Sequence, residues 1–195
     1  MPNLPTNFMN MTSLKNRNQL ADLLNDLKLT GEAAFIGCAE CFFEDYFLQR
    51  WPGRANWIDP WRILDTPGFS GHGEETDAKQ EERYQRILRK AQAFGPRCKV
   101  IRATSLEAIR QFEDLSLDFA YIDSNHSLES AHEDVDLWYD KLKPRALFAG
   151  HDYLEGMHNG QLYGVKQAVD EFAAKIGVTV NVTPETWPSW YFLKP

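Results

Sequence analysis

The chain has 195 residues, 43% hydrophobic and 25% charged, with a formal net charge of −7. That length suits one domain with a full core, and the acidic balance, without any long run of Lys or Arg, argues against a nucleic-acid partner. No stretch approaches the ~20 apolar residues of a membrane span, the N-terminus lacks the apolar core of a signal peptide, and three cysteines make no disulfide framework, so a cytoplasmic protein is expected.

Residues 1–12 read as an irregular arm. Thr12 or Ser13 can cap a helix through Leu27, with Leu20, Leu23, Leu24 and Leu27 as its apolar stripe, ended by Thr30-Gly31. This N-terminal unit, residues 1–30, precedes the main domain, residues 31–195, and its apolar helix could serve a homodimer. Ala33–Gly37 is a first buried strand, Phe42–Trp51 a helix, and Asn56–Asp59 a second strand ending in acid. Pro60–Gly73 is a long loop in which Trp61 and Phe69 could meet a ligand; Asp77 opens an amphipathic helix to Phe94. Cys98–Ala103 is a third strand and Ser105–Phe112 a short helix.

Leu117–Asp123 is the fourth strand. Phe119, Ala120, Tyr121 and Ile122 form an apolar run typical of a strand buried on both faces, cut off by Asp123, Ser124, Asn125 and His126. A helix follows with Leu128, Ala131, Val135, Trp138 and Leu142 on one face; Pro144 stops it. Leu147–Asp152 is the fifth strand, ending in His151-Asp152. After a loop with Gly156, Gly160 and Gly164 comes a helix carrying Val165, Val169, Phe172 and Ile176, capped by Gly177. Val178–Val182 and Trp190–Leu193 are joined by too short a loop for a crossover and must pair antiparallel. The fold class is therefore α/β: a Rossmann-like doubly wound sheet of five parallel strands plus a C-terminal antiparallel pair, with a reversed edge strand.

Polar residues gather where the five parallel strands end: Gly37-Cys38-Ala39-Glu40, Asp59, Thr104-Ser105, Asp123 and His151-Asp152. Ligands bind at this edge of open α/β sheets. Asp59 stands about 20 residues beyond the first turn, where an acid meets ribose hydroxyls in nucleotide-binding sheets. The first turn has Gly37 but no G-x-G-x-x-G pattern, which weakens a reading as an NAD-dependent oxidoreductase. Cys38-Ala39-Glu40-Cys41 also has the spacing of a thioredoxin-like dithiol, although the chain carries more parallel strands than that fold has.

Together Ile36-Gly37-Cys38-Ala39-Glu40, Ile58-Asp59-Pro60-Trp61, Tyr121-Ile122-Asp123-Ser124-Asn125-His126-Ser127, Gly150-His151-Asp152-Tyr153 and Trp187-Pro188-Ser189-Trp190 resemble a class I S-adenosylmethionine-dependent methyltransferase, from about Glu32 onward. More narrowly, they resemble a small bacterial O-methyltransferase-like group. Phe35 stands where that family often has an acid, and Cys41 where it often has glycine. The resemblance implies that Gly37, Cys38, Ala39 and Glu40 line the methionine and ribose side of S-adenosylmethionine, and that Asp59 binds the ribose diol. It also implies Trp61 near the adenine, Thr104 and Ser105 flanking it, and Asp123 near the cofactor's amino group.

The implied reaction is methylation of a small-molecule acceptor, most simply at oxygen, which needs an in-line acceptor and loss of a hydroxyl proton. His126 and His151 are candidate bases; Asp123, His151 and Asp152 could instead ligate a divalent ion such as Mg²⁺ or Mn²⁺. A methyltransferase-like module that binds the nucleoside without catalysis is the alternative, motivated by Phe35 and Cys41. His72, His132 and His158 read as surface or loop residues.

Overall fold

The computed structural model describes residues 13–64 and 76–195; Thr12, Phe69, His72 and the arm expected at residues 1–12 lie outside that set. Leu14 is anchored by its N–H donating to the Tyr191 hydroxyl at 3.1 Å. The Asn16 side chain accepts from the Asn18 N–H at 3.1 Å, so a 3₁₀ turn at Arg17–Gln19 comes first and helix α1 is confined to Leu20–Asp26. Chain reversal falls at Lys28, whose φ is 62°, rather than at Gly31.

From there the elements alternate: β1 (Glu32–Ile36), α2 (Phe42–Arg50), β2 (Arg54–Asp59), α3 (Asp77–Gln92), β3 (Cys98–Arg102), α4 (Ser105–Ala108) and β4 (Leu117–Ile122). Then come α5 (Leu128–Lys141), β5 (Leu142–Gly150), the short β6 (Gly156–His158) and β7 (Gln161–Tyr163), α6 (Val165–Ile176), β8 (Asn181–Val182) and β9 (Trp190–Leu193). Seven strands form one sheet in the order β3-β2-β1-β4-β5-β9-β8, and β6 and β7 form a separate antiparallel pair. Strands β1 to β5 pair parallel with one another, and β9 runs antiparallel to both β5 and β8. The doubly wound sheet with its C-terminal antiparallel pair is as expected. The reversed strand, however, is β9, inserted one place in from the edge, which β8 occupies.

Alternation along the strands sends side chains to two cores, as a sheet covered on both faces requires. Phe35, Phe119, Tyr121 and Trp57 pack with α1, α2 and α3 through Leu24, Phe47, Trp51 and Ile87. Ile36, Ile58, Ile122 and Phe148 pack with α5 and α6 through Val135, Trp138, Val169 and Phe172. The apolar stripe of α1 is thus spent inside the first core.

Ser127 caps α5, accepting from the Ser130 N–H at 3.3 Å, and Glu129 and Lys141 complement its dipole. The helix stops before Pro144 because the chain turns straight into β5 at Leu142, five residues earlier than the apolar run Leu147–Gly150 suggests. The β6–β7 hairpin was not expected; its turn is Asn159-Gly160, with φ of 50° and 76°, the residue pair that two-residue hairpins favour. No helix among the described residues is long and apolar enough to cross a membrane.

Candidate active site at the strand tips

Gly37 sets the frame of the site. Its φ is +86°, and a Cβ there would lie 2.0 Å from the Asp123 carbonyl oxygen and 2.7 Å from Ser124 Cα. Only glycine lets the turn after β1 close so tightly on the turn after β4.

On the β1–β2 side, polar groups bond to one another. Asp59 accepts the Ala39 N–H at 2.9 Å and the Trp61 N–H at 2.8 Å, one on each carboxylate oxygen. The Trp61 indole donates to the Ala39 carbonyl at 2.9 Å, and its ring is fully buried against Tyr84. Glu40 is turned towards α3, held by Arg83 at 2.7 Å and Arg86 at 2.6 Å; burial alone would raise its pKa, but these two arginines lower it. Cys38 and Cys41 are buried. Thr104 caps α4 in a reciprocal pair with Glu107, and the Ser105 hydroxyl accepts from the Trp138 indole at 2.8 Å while donating to Asp134. The structure therefore brings Gly37, Ala39, Asp59 and Trp61 together and gives the side chains of Glu40, Thr104 and Ser105 local partners.

At the tips of β4 and β5 the charges crowd. His126 Nε2 lies 3.0 Å from Asp152 and 3.8 Å from Asp123. His151 Nδ1 lies 3.0 Å from Asp152 and 3.6 Å from Asp123. Burial would lower the His126 pKa, but the two carboxylates outweigh it and raise it to about 9. For Asp152 burial works upward, and the two imidazoles hold the carboxyl well below the usual carboxylate range.

Despite these short ionic distances, both His126 nitrogens are shut off from solvent without an aligned hydrogen bond. Asp152 sits at φ 50°, an uncommon conformation that marks functional turns more often than ordinary ones. Asp123, His126 and Asp152 offer ligand atoms all within 4.8 Å of one another. His126, read from sequence as a base, thus joins the metal-ligand geometry, and His151 flanks it. A shallow hollow opens here, lined by Asp123, His126, His151, Val165 and Trp190; Asp59 and Ser105 are not part of it.

Two groups that the sequence does not single out reach the site, from segments expected to set acceptor specificity, residues 1–30 and 153–163. Arg17 reaches Asp123 at 3.4 Å, its guanidinium 5.0 Å above the Phe43 ring, and its main-chain N–H donates to Glu185 at 2.9 Å. Tyr163, from β7, stacks on His126 at 4.7 Å and meets Trp187 at 5.9 Å, with His158 beside both. The Asn159-Gly160 pair is the sequence signal that could have placed Tyr163 there.

Residues 23–153 match a family described as a methyltransferase domain. An uncharacterized protein of Sinorhizobium fredii is 30% identical over 117 residues, which cover 60% of this chain and 12% of that protein; the chain thus spans only a small part of its curated relative. A Staphylococcus aureus structure assigned as a caffeoyl-CoA O-methyltransferase aligns with TM-score 0.66 and 12% identity over 91% of this chain and 82% of that one. The O-methyltransferase of Bacillus cereus in complex with SAH gives TM-score 0.61 and 13% identity over 91% and 80%. At such identities the two structures speak for the fold, and the family match speaks for the lineage. The chain belongs to the methyltransferase domain family and has the fold of the class I S-adenosylmethionine-dependent methyltransferases.

Proposed function

We propose that this protein moves a methyl group from S-adenosylmethionine to a hydroxyl of a small molecule, with a divalent ion held by Asp123, His126 and Asp152. The observation that carries the reading is the meeting, on one sheet edge of this family's fold, of a diol-type carboxylate with an acid–imidazole cluster. Asp59 accepts one main-chain N–H on each oxygen, which fixes its carboxylate at the tip of β2, where an acid of a nucleotide-binding sheet meets the ribose diol. Arg17 and Asp123, 3.4 Å apart, present opposite charges suited to the carboxylate and ammonium of the cofactor's amino-acid end.

The ion fits the donors. Two carboxylates and an imidazole lie within reach of one centre, and the imidazole nitrogens lack aligned partners. A mixed oxygen and nitrogen set favours Mn²⁺, Fe²⁺ or Zn²⁺ over Mg²⁺ or Ca²⁺. Such an ion supplies Lewis acidity that eases loss of the acceptor's hydroxyl proton. His126 is committed to the ion, so His151 is the group that takes the proton. Asp152 orients His151 through Nδ1, and the rings of Tyr163, Trp187 and His158 form a wall against which a flat acceptor can rest.

Calorimetric titration of the full chain with S-adenosylhomocysteine, with and without Mn²⁺, tests the cofactor; phenol and alcohol acceptors with labelled S-adenosylmethionine then test transfer. Saturable heat and Mn²⁺-dependent labelling are expected. No heat and no thermal shift at millimolar ligand would end the reading. Binding without turnover on any acceptor would instead identify a nucleoside-binding module, which the buried Cys41 and the diverted Glu40 favour.

A further inference from the structure

We propose that Cys38, Cys41 and Glu44 form a second metal site, a two-thiolate, one-carboxylate set that takes zinc inside the turn between β1 and α2. It is separate from the strand-tip cluster and does not rest on methyl transfer. The spacing C-x-x-C-x-x-E builds it locally. The Cys41 N–H donates to the Cys38 carbonyl at 2.7 Å and folds Cys38 back over the start of α2. Cys41 is the N-cap of that helix and Glu44 lies in its first turn, which puts the three side chains on one side. Their ligand atoms all lie within 4.8 Å of one another, and the residues are 5%, 0% and 4% exposed. Donors around a tetrahedral zinc stand about 3.5 Å apart, so the cluster needs little rearrangement.

Glu44 supplies an independent observation. Its carboxyl is buried, takes a hydrogen bond from its own main-chain N–H, and forms no ion pair among the described residues. A buried carboxyl short of a counter-charge is costly, and a cation between it and two thiols answers that cost. Cys38 donates to the Phe35 carbonyl at 3.2 Å, and the two thiols lie within hydrogen-bond reach of each other, which brings both sulfurs to one point. Thiolates select zinc over Mg²⁺ or Ca²⁺, which sets this site apart from the oxygen- and nitrogen-rich strand tips.

Binding releases the two thiol protons, because only thiolates ligate zinc. The bound set then carries one net negative charge, facing the Arg17 charge that already acts on Glu44 and the Lys90 charge that acts on Cys41. Ala39 and Cys41 hold φ of 43° and 50°, conformations that L side chains rarely adopt; metal bonds from both flanking sulfurs would clamp this turn where glycines are missing.

Cobalt is the probe. The full chain, expressed in cobalt-supplemented medium, should show the near-ultraviolet thiolate-to-cobalt charge-transfer band that the strand-tip cluster cannot give. Zinc-grown protein should retain one equivalent of zinc through Asp152→Asn and lose it in Cys41→Ser. The band should follow the same pattern, while Cys98→Ser keeps it. No band in the wild-type chain overturns the proposal without recourse to any variant, so a poorly folding Cys41→Ser cannot shield it. A band that survives Cys41→Ser, or disappears equally in Asp152→Asn, also overturns it.

Discussion

The two halves of the strand-tip edge solve opposite problems. At β1 and β2 the polar groups are spent on each other: Asp59 on two main-chain amides, Trp61 on Ala39, Glu40 on two arginines of α3. At β4 and β5, two acids and two imidazoles crowd together, and the His126 nitrogens find no aligned bond. Satisfied groups make a rigid cradle, and under-bonded charged groups are where protons and ions can be handled.

The comparison is broken most directly at Asp152, which both imidazoles touch. Asp152→Asn should lower kcat/KM for methyl transfer by about 100-fold or more, through lost ion binding and a misoriented His151. Affinity for S-adenosylhomocysteine, measured by calorimetry, should stay nearly unchanged. Asp59→Ala is the converse. Losing charge-assisted hydrogen bonds of roughly 1.5–3 kcal/mol should weaken S-adenosylhomocysteine binding by about 10- to 100-fold and leave Mn²⁺ affinity alone. If either variant changes both ligands alike, the two halves are not independent.

Much of this division is legible in the chain. A strand buried on both faces shows as an unbroken apolar run, and Phe119–Ile122 with its abrupt polar end places Asp123 at the tip of β4. The same logic located Asp59 and His151-Asp152. Sequence could not tell which histidine faces which acid, because His126 lies in a turn whose orientation is set by the tight approach of Gly37 to Ser124. Nor could it show Arg17 at Asp123, a contact spanning 106 residues. The early start of β5 was hidden because Lys143, Pro144 and Arg145 are polar or helix-breaking and interrupt the apolar pattern. Ser105 was legible as a strand-end residue, but its bonds to Asp134 and Trp138 depend on how α5 packs.

That last network should be the next largest effect, on stability rather than chemistry. Asp134 is buried and accepts from the hydroxyls of Ser105 and Ser124. Asp134→Ala leaves both hydroxyls short of an acceptor and should cost about 2 kcal/mol in urea unfolding. Asp134→Asn keeps an acceptor and should cost less. Burial raises the Asp134 pKa above its ordinary value against the pull of the two serines. Its contribution is therefore whole below the unfolded value of 3.8 and falls as pH rises, because the unfolded chain gives up this proton first. Wild type should lose stability relative to Asp134→Asn as pH rises from the unfolded value of 3.8 towards the raised folded value; an equal slope for both would show that Asp134 does not set it.

The smallest effect, and the sharpest probe of which half meets the acceptor, is at Trp187. Its ring lies 5.9 Å from Tyr163, which in turn stacks on His126 at 4.7 Å, so it belongs with the tip of β4. An aromatic contact of this kind is worth about 0.5–1.5 kcal/mol. Trp187→Ala should therefore raise KM for a flat aromatic acceptor by roughly 2- to 10-fold, with kcat little changed and S-adenosylhomocysteine affinity intact. Trp187→Phe should restore most of the loss, since a smaller ring still offers a face. A fall in cofactor affinity that matches the rise in KM would put Trp187 on the cradle side of the edge, and the aromatic wall could then no longer be assigned to the acceptor.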